Sequence, residues 1–257
     1  MRDIKLKTKH LGERLYYFND VNSTNEKADI LAANVAEGTV IIAKKQRNGI
    51  GRFGRAWISP VGGVYISVIL KPKITPREAS KISLITGIAI ATVIRNLGLE
   101  AKIKWPNDVL IHGKKVCGIL TRISTKDSKI DYAIVGIGLN VNVDISTFPK
   151  ELQKSATSLN VELKKNLSVE KVIEDILYAI EANYEILKEE NFTYLLNEWT
   201  RLSDTLGKKV MIKMKTETIK GAAVGINREG ALILMCESGS LRNIIAGECI
   251  HLRTGDL

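Results

Sequence analysis

The chain has 257 residues, 45% hydrophobic and 26% charged, which is the balance of a globular protein with room for one large domain or a large and a small one. Its longest apolar stretch, residues 82–97, is interrupted by Ser83, Thr86, Thr92 and Arg95 and is too short to span a bilayer, and the basic N-terminus lacks the apolar run of a signal peptide. The net charge of +10 suits nucleic acid, an acidic protein or an anionic nucleotide, but evenly spread lysines without interleaved aromatics argue against generic nucleic-acid binding.

Residues 14–19 predict a short strand, with Tyr16 and Phe18 on one face and Tyr17 on the other. Ser23 and Glu26 then stand three apart, as in a capping box, ahead of the helical pattern Ala28, Ile30, Leu31, Ala32. Ser23-Thr24-Asn25 can be a plain helix cap. At a helix N-terminus, three short polar side chains also suit recognition of a small polar head group. Residues 39–44 are β-branched and nearly all apolar, so they predict a buried strand. Gln46-Arg47-Asn48-Gly49-Ile50-Gly51-Arg52-Phe53-Gly54-Arg55-Ala56-Trp57 follows, with three glycines and three arginines in twelve residues. Such a loop can bring backbone N–H groups close to an anion, and its arginines can fork onto phosphate or carboxylate. It reads either as a basic surface turn or as a flexible flap closing over a phosphorylated or acyl-phosphate species.

Residues 64–70 predict another strand, and Pro76 opens a helix over 77–97 with Gly98 as its C-cap. A short strand at 102–105 runs into Lys104-Trp105-Pro106-Asn107-Asp108. Residues 109–111, the His112-Gly113 turn and residues 115–120 then read as a hairpin. Residues 130–135 form a strand leading to Gly136-Ile137-Gly138-Leu139-Asn140-Val141-Asn142, which alone reads as a bulged strand end. Ser168 caps a helix over 169–189, and a second helix covers 193–202. From Gly207 the texture changes. Short alternating segments at 209–215, 218–226, 231–236, 240–245 and 249–252, with a hairpin turn at Asn227-Arg228-Glu229-Gly230, predict a five-stranded SH3-like barrel. Cys117, Cys236 and Cys249, like His10, His112 and His251, are scattered and form no metal-ligand spacing, so a reducing cytoplasm is the simplest setting.

Each motif alone is weak, but their order and spacing are specific. Ser-Thr-Asn, Gln-x-x-Gly-x-Gly-Arg-x-Gly-Arg-x-Trp, Lys-Trp-Pro-Asn-Asp, Lys-x-x-Gly-Ile-Leu and Gly-Ile-Gly-x-Asn-Val-Asn together resemble biotin protein ligase (biotin–[acetyl-CoA carboxylase] ligase), from about Arg14 to the C-terminus. The resemblance implies an α+β fold, a mixed β-sheet packed with helices as in class II aminoacyl-tRNA synthetases and biotin ligases. It implies a catalytic domain over 1–205 and the SH3-like β-barrel over 206–257. It further implies ATP-dependent formation of biotinyl-5′-AMP with Mg2+, and transfer of biotin to a lysine of a biotin carboxyl carrier domain.

By the same resemblance, Ser23, Thr24 and Asn25 bind the ureido head of biotin. Gln46, Ile50, Gly51 and Gly118 line its pocket, and Arg52 holds biotin and the acyl-adenylate. Lys115 reaches the biotin carboxylate and the phosphate. Asp108 orients the reacting groups and helps deprotonate the carrier lysine. Arg55, Lys104 and Asn107 serve ATP, Trp57 packs on adenine and Asn140 reads its edge. Metal ligands are not assigned. Ile50 departs from the family's usual Gly-Arg-Gly-Arg loop and removes one cation from the flap. Too few residues precede the first strand for a helix-turn-helix domain, so a monofunctional cytoplasmic ligase is expected, with neither DNA nor a membrane as partner and with a homodimer left open. The alternatives are a lipoate–protein ligase or octanoyltransferase, and a non-enzymatic nucleic-acid-binding protein.

Overall fold

The computed structural model describes residues 6–189 and 191–252. The ends of the two expected domains, residues 1–5 and 253–257, lie outside the described residues. Seven strands build one mixed sheet: β1 (Leu15–Phe18), β2 (Val40–Ala43), β3 (Val64–Leu70), β4 (Ala101–Lys104), β5 (Asp108–Ile111), β6 (Lys114–Lys126) and β7 (Lys129–Leu139). Their order is β1-β2-β3-β7-β6-β5-β4. The β1–β2 pair is parallel and every other pair antiparallel. The helices are α1 (Thr24–Leu31), α2 (Ser80–Asn96), α3 (Lys150–Gln153), α4 (Leu159–Leu163), α5 (Val169–Lys188) and α6 (Phe192–Leu202). Five further strands, β8 (Lys209–Lys213), β9 (Thr218–Ile226), β10 (Leu232–Cys236), β11 (Leu241–Ile244) and β12 (Glu248–His251), form an antiparallel sheet ordered β11-β10-β9-β8-β12. Arg242 on β11 forks onto Glu217, in the β8–β9 turn, at 2.8 and 2.9 Å.

The period of two along the central strands sorts residues between two faces. Ile66, Val68 and Leu70 on β3, Val135, Ile137 and Leu139 on β7, and Cys117 and Ile119 on β6 join one core with α2, α5 and α6. Full burial of each such side chain contributes about 1.5–3 kcal/mol, and this core carries the fold. The alternating positions are Ser67 on β3, Gly136 and Gly138 on β7 and Gly118 on β6, and the ladder pairs Ser67 with Gly136 and Gly118 with Gly138. On that second face α1 covers only one end, packing Ala28 and Ala32 on Ile41, Ile69 and Ile134. The middle of the face, carrying the small residues, is left open.

Several elements differ from expectation. Strands β6 and β7 extend beyond 115–120 and 130–135. They are joined through Asp127-Ser128, both at positive φ (50° and 61°), as a two-residue hairpin requires. Residues 121–126 of β6 are polar apart from Ile123 and partly exposed, so no apolar alternation marks them, whereas β7 gains the buried residues 136–139, whose two glycines hid the strand pattern. Pro76–Glu78 forms a 3-10 turn closed by a Thr75/Glu78 capping box, and α2 starts only at Ser80. The capping box expected at Ser23 and Glu26 does not form. Ser23 makes no side-chain cap bond, and Glu26 accepts instead from the Asn22 amide. Gly136 and Gly138 pair in register, so the expected bulge is absent there. Residues 145–163, for which no element was expected, fold as a 3-10 turn with α3 and α4. Of these, residues 155–157 lie alongside Lys115, whose N–H donates to Ser155 O at 2.7 Å.

Candidate active site

The open middle of the sheet holds a cavity of about 330 Å³. It is lined by all fifteen residues singled out from the sequence: Ser23, Thr24, Asn25, Gln46, Ile50, Gly51, Arg52, Arg55, Trp57, Lys104, Asn107, Asp108, Lys115, Gly118 and Asn140. Four structural segments bring them together. These are the start of α1, the β2–β3 loop, the β4–β5 turn with the start of β6, and the end of β7.

One end of the cavity is a network of neutral polar groups. Gln46 Oε1 accepts from the Thr24 backbone N–H at 2.8 Å and the Thr24 hydroxyl at 3.1 Å, while its Nε2 donates to Ser59 Oγ at 2.9 Å. Ser67 Oγ lies 2.8 Å from Thr24 Oγ1 and 2.6 Å from Asn25 Oδ1. Ser67 is fully buried, and it was not among the expected site residues. Its signal was a small hydroxyl residue inside the largely apolar run of β3. Asn25 lies directly against the sheet, and a Cβ at Gly136 would come within 2.2 Å of Asn25 Oδ1. Glycine at 136 is therefore required by close approach of a side chain.

Cations gather in the middle. Lys115 Nζ stands 2.7 Å from Asp108 Oδ1 and 5.3 Å from the centroid of the Trp57 ring. The ladder of β5 and β6 shifts register between Val109 and Leu110, beside Lys115. Arg52 Nη1 donates to Asn107 Oδ1 at 3.2 Å and to Gly247 O at 3.0 Å, and Arg55 pairs with Glu248 at 2.7 Å. Burial pulls the Arg52 guanidinium below its ordinary range, against the opposing pull of Asp108 and Glu248, and an arginine so shifted is still a cation at neutral pH. Lys104 lines the same region without an ion-pair partner among the described residues.

The far end is more apolar. Asn140 Nδ2 donates to Thr157 O at 3.0 Å, while its buried Oδ1 has no partner among the described residues. Phe148, Leu152 and Ala156 line the cavity here, from a segment whose site role sequence reasoning missed. Trp57 rests against the backbone of β6 and β7: a Cβ at Gly138 would meet its Nε1 at 2.2 Å, and one at Gly118 its Cζ3 at 3.2 Å. Trp57 Nε1 is also buried and unpartnered. Two orphaned polar atoms at one end of a cavity mark positions where a bound group would complete the hydrogen bonding.

The β2–β3 loop is ordered here. Gly51 N donates to Arg55 O at 2.7 Å and Trp57 N to Gly49 O at 2.8 Å, and Phe53 takes the left-handed conformation (φ 57°) at the tip. Gly247, Glu248 and Cys249 reach the site from the C-terminal sheet, a contribution that no local motif announced. Burial pushes the Cys249 thiol up to about 12, and Cys117 is likewise raised, so neither is a thiolate nucleophile at neutral pH. No group of three or more His, Cys, Asp or Glu side chains suited to a metal occurs among the described residues.

Residues 15–140 match the Biotin/lipoate A/B protein ligase family, and residues 205–252 match the Biotin protein ligase C terminal domain. The chain is 37% identical to the bifunctional ligase/repressor BirA of Bacillus subtilis, over 91% of this chain and 73% of that one. It is 30% identical to the biotin–[acetyl-CoA-carboxylase] ligase of Paracoccus denitrificans, over 85% of this chain and 92% of that one. Among solved structures it is similar to the biotin protein ligase from Aquifex aeolicus in complex with biotin and ATP. That similarity has a TM-score of 0.81 and 30% identity, covering 94% of this chain and all of that one. The five motifs, the sheet they share and the C-terminal module agree, and the chain belongs to the biotin protein ligase family.

Proposed function

We propose that this cavity joins biotin to ATP and then hands biotin to a lysine of a biotin carboxyl carrier domain. In the first step a biotin carboxylate oxygen attacks the α-phosphorus of ATP. The bond to pyrophosphate breaks, leaving biotinyl-5′-AMP. In the second the lysine amine attacks the activated carbonyl, AMP leaves with the C–O bonding pair, and the amine loses a proton.

The observation that carries this reading is the layout of one cavity: neutral hydrogen-bonding groups at one end, cations in the middle, and an orphan amide oxygen in an apolar slot at the other. A ureido head needs donors and acceptors together, which Ser23, Thr24 and Asn25 supply. Two anions must meet in the first step, so the main demand is charge neutralisation and positioning. Arg52, Lys104 and Lys115 meet that demand, with Arg55 at the rim. Asn140 Oδ1, buried and unpartnered, would accept from an exocyclic amine of adenine, and Trp57, Phe148 and Leu152 belong to the lining of the same cavity. Asp108, within 2.7 Å of Lys115, orients that lysine and takes part in deprotonating the acceptor amine.

Magnesium fits this site only as a companion of the nucleotide. The cavity's two carboxylates, Asp108 and Glu248, are each paired with a cation, which leaves no acidic cluster to hold the ion before ATP arrives. The division near residue 205, with the catalytic domain before it and the β module after it, belongs to the same reading. So does a cytoplasmic setting; no helix among the described residues is long and apolar enough to cross a membrane.

The test is pyrophosphate release with ATP and either biotin or lipoate. Biotin-dependent release is the expected result. Lipoate-dependent release without a biotin response would replace this reading with the lipoate ligase alternative.

A further inference from the structure

The turn Trp105–Asp108 carries Asn107 and Asp108 into the cavity, while Gly247 stands just before β12 and Glu248, its first residue, lines the rim. Arg52 bonds to one residue of each, Asn107 Oδ1 and Gly247 O. The same two segments are joined a second time, through Thr205 and His251, which are not among the cavity-lining residues. The Trp105 backbone N–H donates to Thr205 Oγ1 at 2.9 Å, and Thr205 Oγ1 lies 3.2 Å from Nε2 of His251, the last residue of β12. The other ring nitrogen, Nδ1, stands 3.5 Å from Asp204 Oδ2.

Thr205 is fully buried and sits at the junction of the two modules. Its oxygen already accepts from Trp105, so its hydroxyl proton is free to go to Nε2. The arrangement in which every donor has an acceptor puts the ring proton on Nδ1, toward Asp204. That assignment needs a neutral ring. Burial, with Lys104 and Lys208 nearby, holds the His251 ring below its ordinary range, to about 4, against the pull of Asp204. Ser203 Oγ also accepts the Thr205 N–H at 3.1 Å, which fixes the backbone of the junction.

We propose that Thr205 and His251 are positioning residues for the ligase reaction: their hydrogen-bond relay holds the Trp105–Asp108 turn against β12, and so sets the distance between the two acceptors that seat Arg52. Neither residue touches the cavity. The inference rests on the proposed function, because the seat of Arg52 matters through the intermediate it retains. Loss of the relay loosens the seat without removing any group from the cavity. The adenylate would then escape more readily, while its formation, which depends on groups within the cavity, changes less.

The test compares Thr205→Val, which keeps the shape but removes the hydroxyl, with Thr205→Ser, which keeps the hydroxyl. It adds His251→Leu, which removes the acceptor, and His251→Gln, which returns a carbonyl oxygen near the position of Nε2. Two measurements are made on the full chain. One is hydrogen exchange at the Trp105 amide without substrates. The other is the rate at which biotinyl-AMP leaves the protein, set beside the rate at which it forms. Thr205→Val and His251→Leu are expected to speed Trp105 exchange and adenylate escape by roughly threefold to tenfold each. Serine at 205 and glutamine at 251 should restore both.

The proposal is overturned if exchange and escape are unchanged in Thr205→Val and His251→Leu. It is equally overturned if formation falls as much as escape rises, or if serine and glutamine fail to rescue. Should Thr205→Val not fold, the His251 pair decides alone. If the unmodified chain makes no adenylate from biotin and ATP, the proposed function fails; the exchange measurement still decides whether the relay exists.

Discussion

Arg52 spans the two halves of the molecule with a single guanidinium nitrogen, bonding Asn107 on the β4–β5 turn and Gly247 before β12. Its task in the proposed reaction is to retain a reactive acyl-adenylate. Arg52→Ala should therefore release biotinyl-AMP at least tenfold faster, the scale of losing hydrogen bonds from a charged group. Labelling of bystander lysines would rise in step. Unchanged dissociation of the intermediate in the mutant would remove Arg52 from this role. Lys115, paired with Asp108, has a different task in the proposed reaction, which is to neutralise the carboxylate and phosphate as they meet. Lys115→Ala should slow adenylate formation by about 10²–10³-fold, the usual scale for removing a stabiliser of developing charge. Single-turnover pyrophosphate release measures this, and a mutant keeping most of the parent rate would rule the assignment out. At this scale the sequence was informative for residues that sit in motifs. Ser67 escaped notice because one small hydroxyl residue in a largely apolar strand has no local pattern, and its meaning comes only from Thr24 and Asn25 across the sheet.

Strands β6 and β7 show what the glycines of the motifs are for. Gly118, Gly136 and Gly138 sit in regular ladder positions, and their missing side chains make room for Asn25, Lys115 and Trp57. In Gly136→Ala the new methyl would meet the Asn25 amide at 2.2 Å and push it out of the polar network. The substitution should weaken biotin binding by at least tenfold and destabilise the fold by about 1–3 kcal/mol, the usual range for overpacking. Calorimetric titration with biotin checks the first and denaturant unfolding the second. Another element, α5, holds the N-terminal segment through Glu181, which accepts backbone N–H bonds from Lys9, His10 and Leu11 at 2.7–2.9 Å. Burial alone would raise the Glu181 carboxyl, but these three N–H groups bring it below the ordinary glutamate range. Its stabilising contribution is thus full above the unfolded-state value and is lost as pH falls through the lower folded-state value. Glu181→Ala should cost about 1–3 kcal/mol at neutral pH and flatten the acid limb of the stability profile. An unaltered acid limb would show that Glu181 does not carry this dependence.

The whole molecule is a seven-stranded sheet with α2, α5 and α6 on one face and the cavity beside α1 on the other, closed at one side by a second, smaller sheet. Strand and helix identities followed where the sequence carries a continuous apolar, β-branched run, as in β2 and β3, or a cap ahead of a long helical stretch, as in α5. They were harder to place where residues are polar and partly exposed, as over residues 121–126 of β6, or where short turns stack without a period, as over residues 145–163. The site was readable because its residues cluster into motifs in sequence, even though the motifs come from four separate segments. The contribution of Gly247 and Glu248 was not, because it depends on how β12 docks against the β2–β3 loop, a long-range fact with no local signature. The departure at Ile50 is accommodated inside the loop. Ile50 bridges to Ala56 and lines the cavity, where Arg52 and Arg55 are the arginines of the loop that join it in the lining.

The central claim is that this cavity builds an acyl-adenylate of biotin and delivers it to a carrier lysine. Intact-mass measurement of a biotin carboxyl carrier domain, incubated with the chain, biotin and ATP, tests it most directly. The account predicts a mass increase of one biotinyl group that requires ATP, and loss of the increase when the acceptor lysine is replaced by arginine. An unmodified carrier, or a modification that proceeds with lipoate and not with biotin, would contradict it.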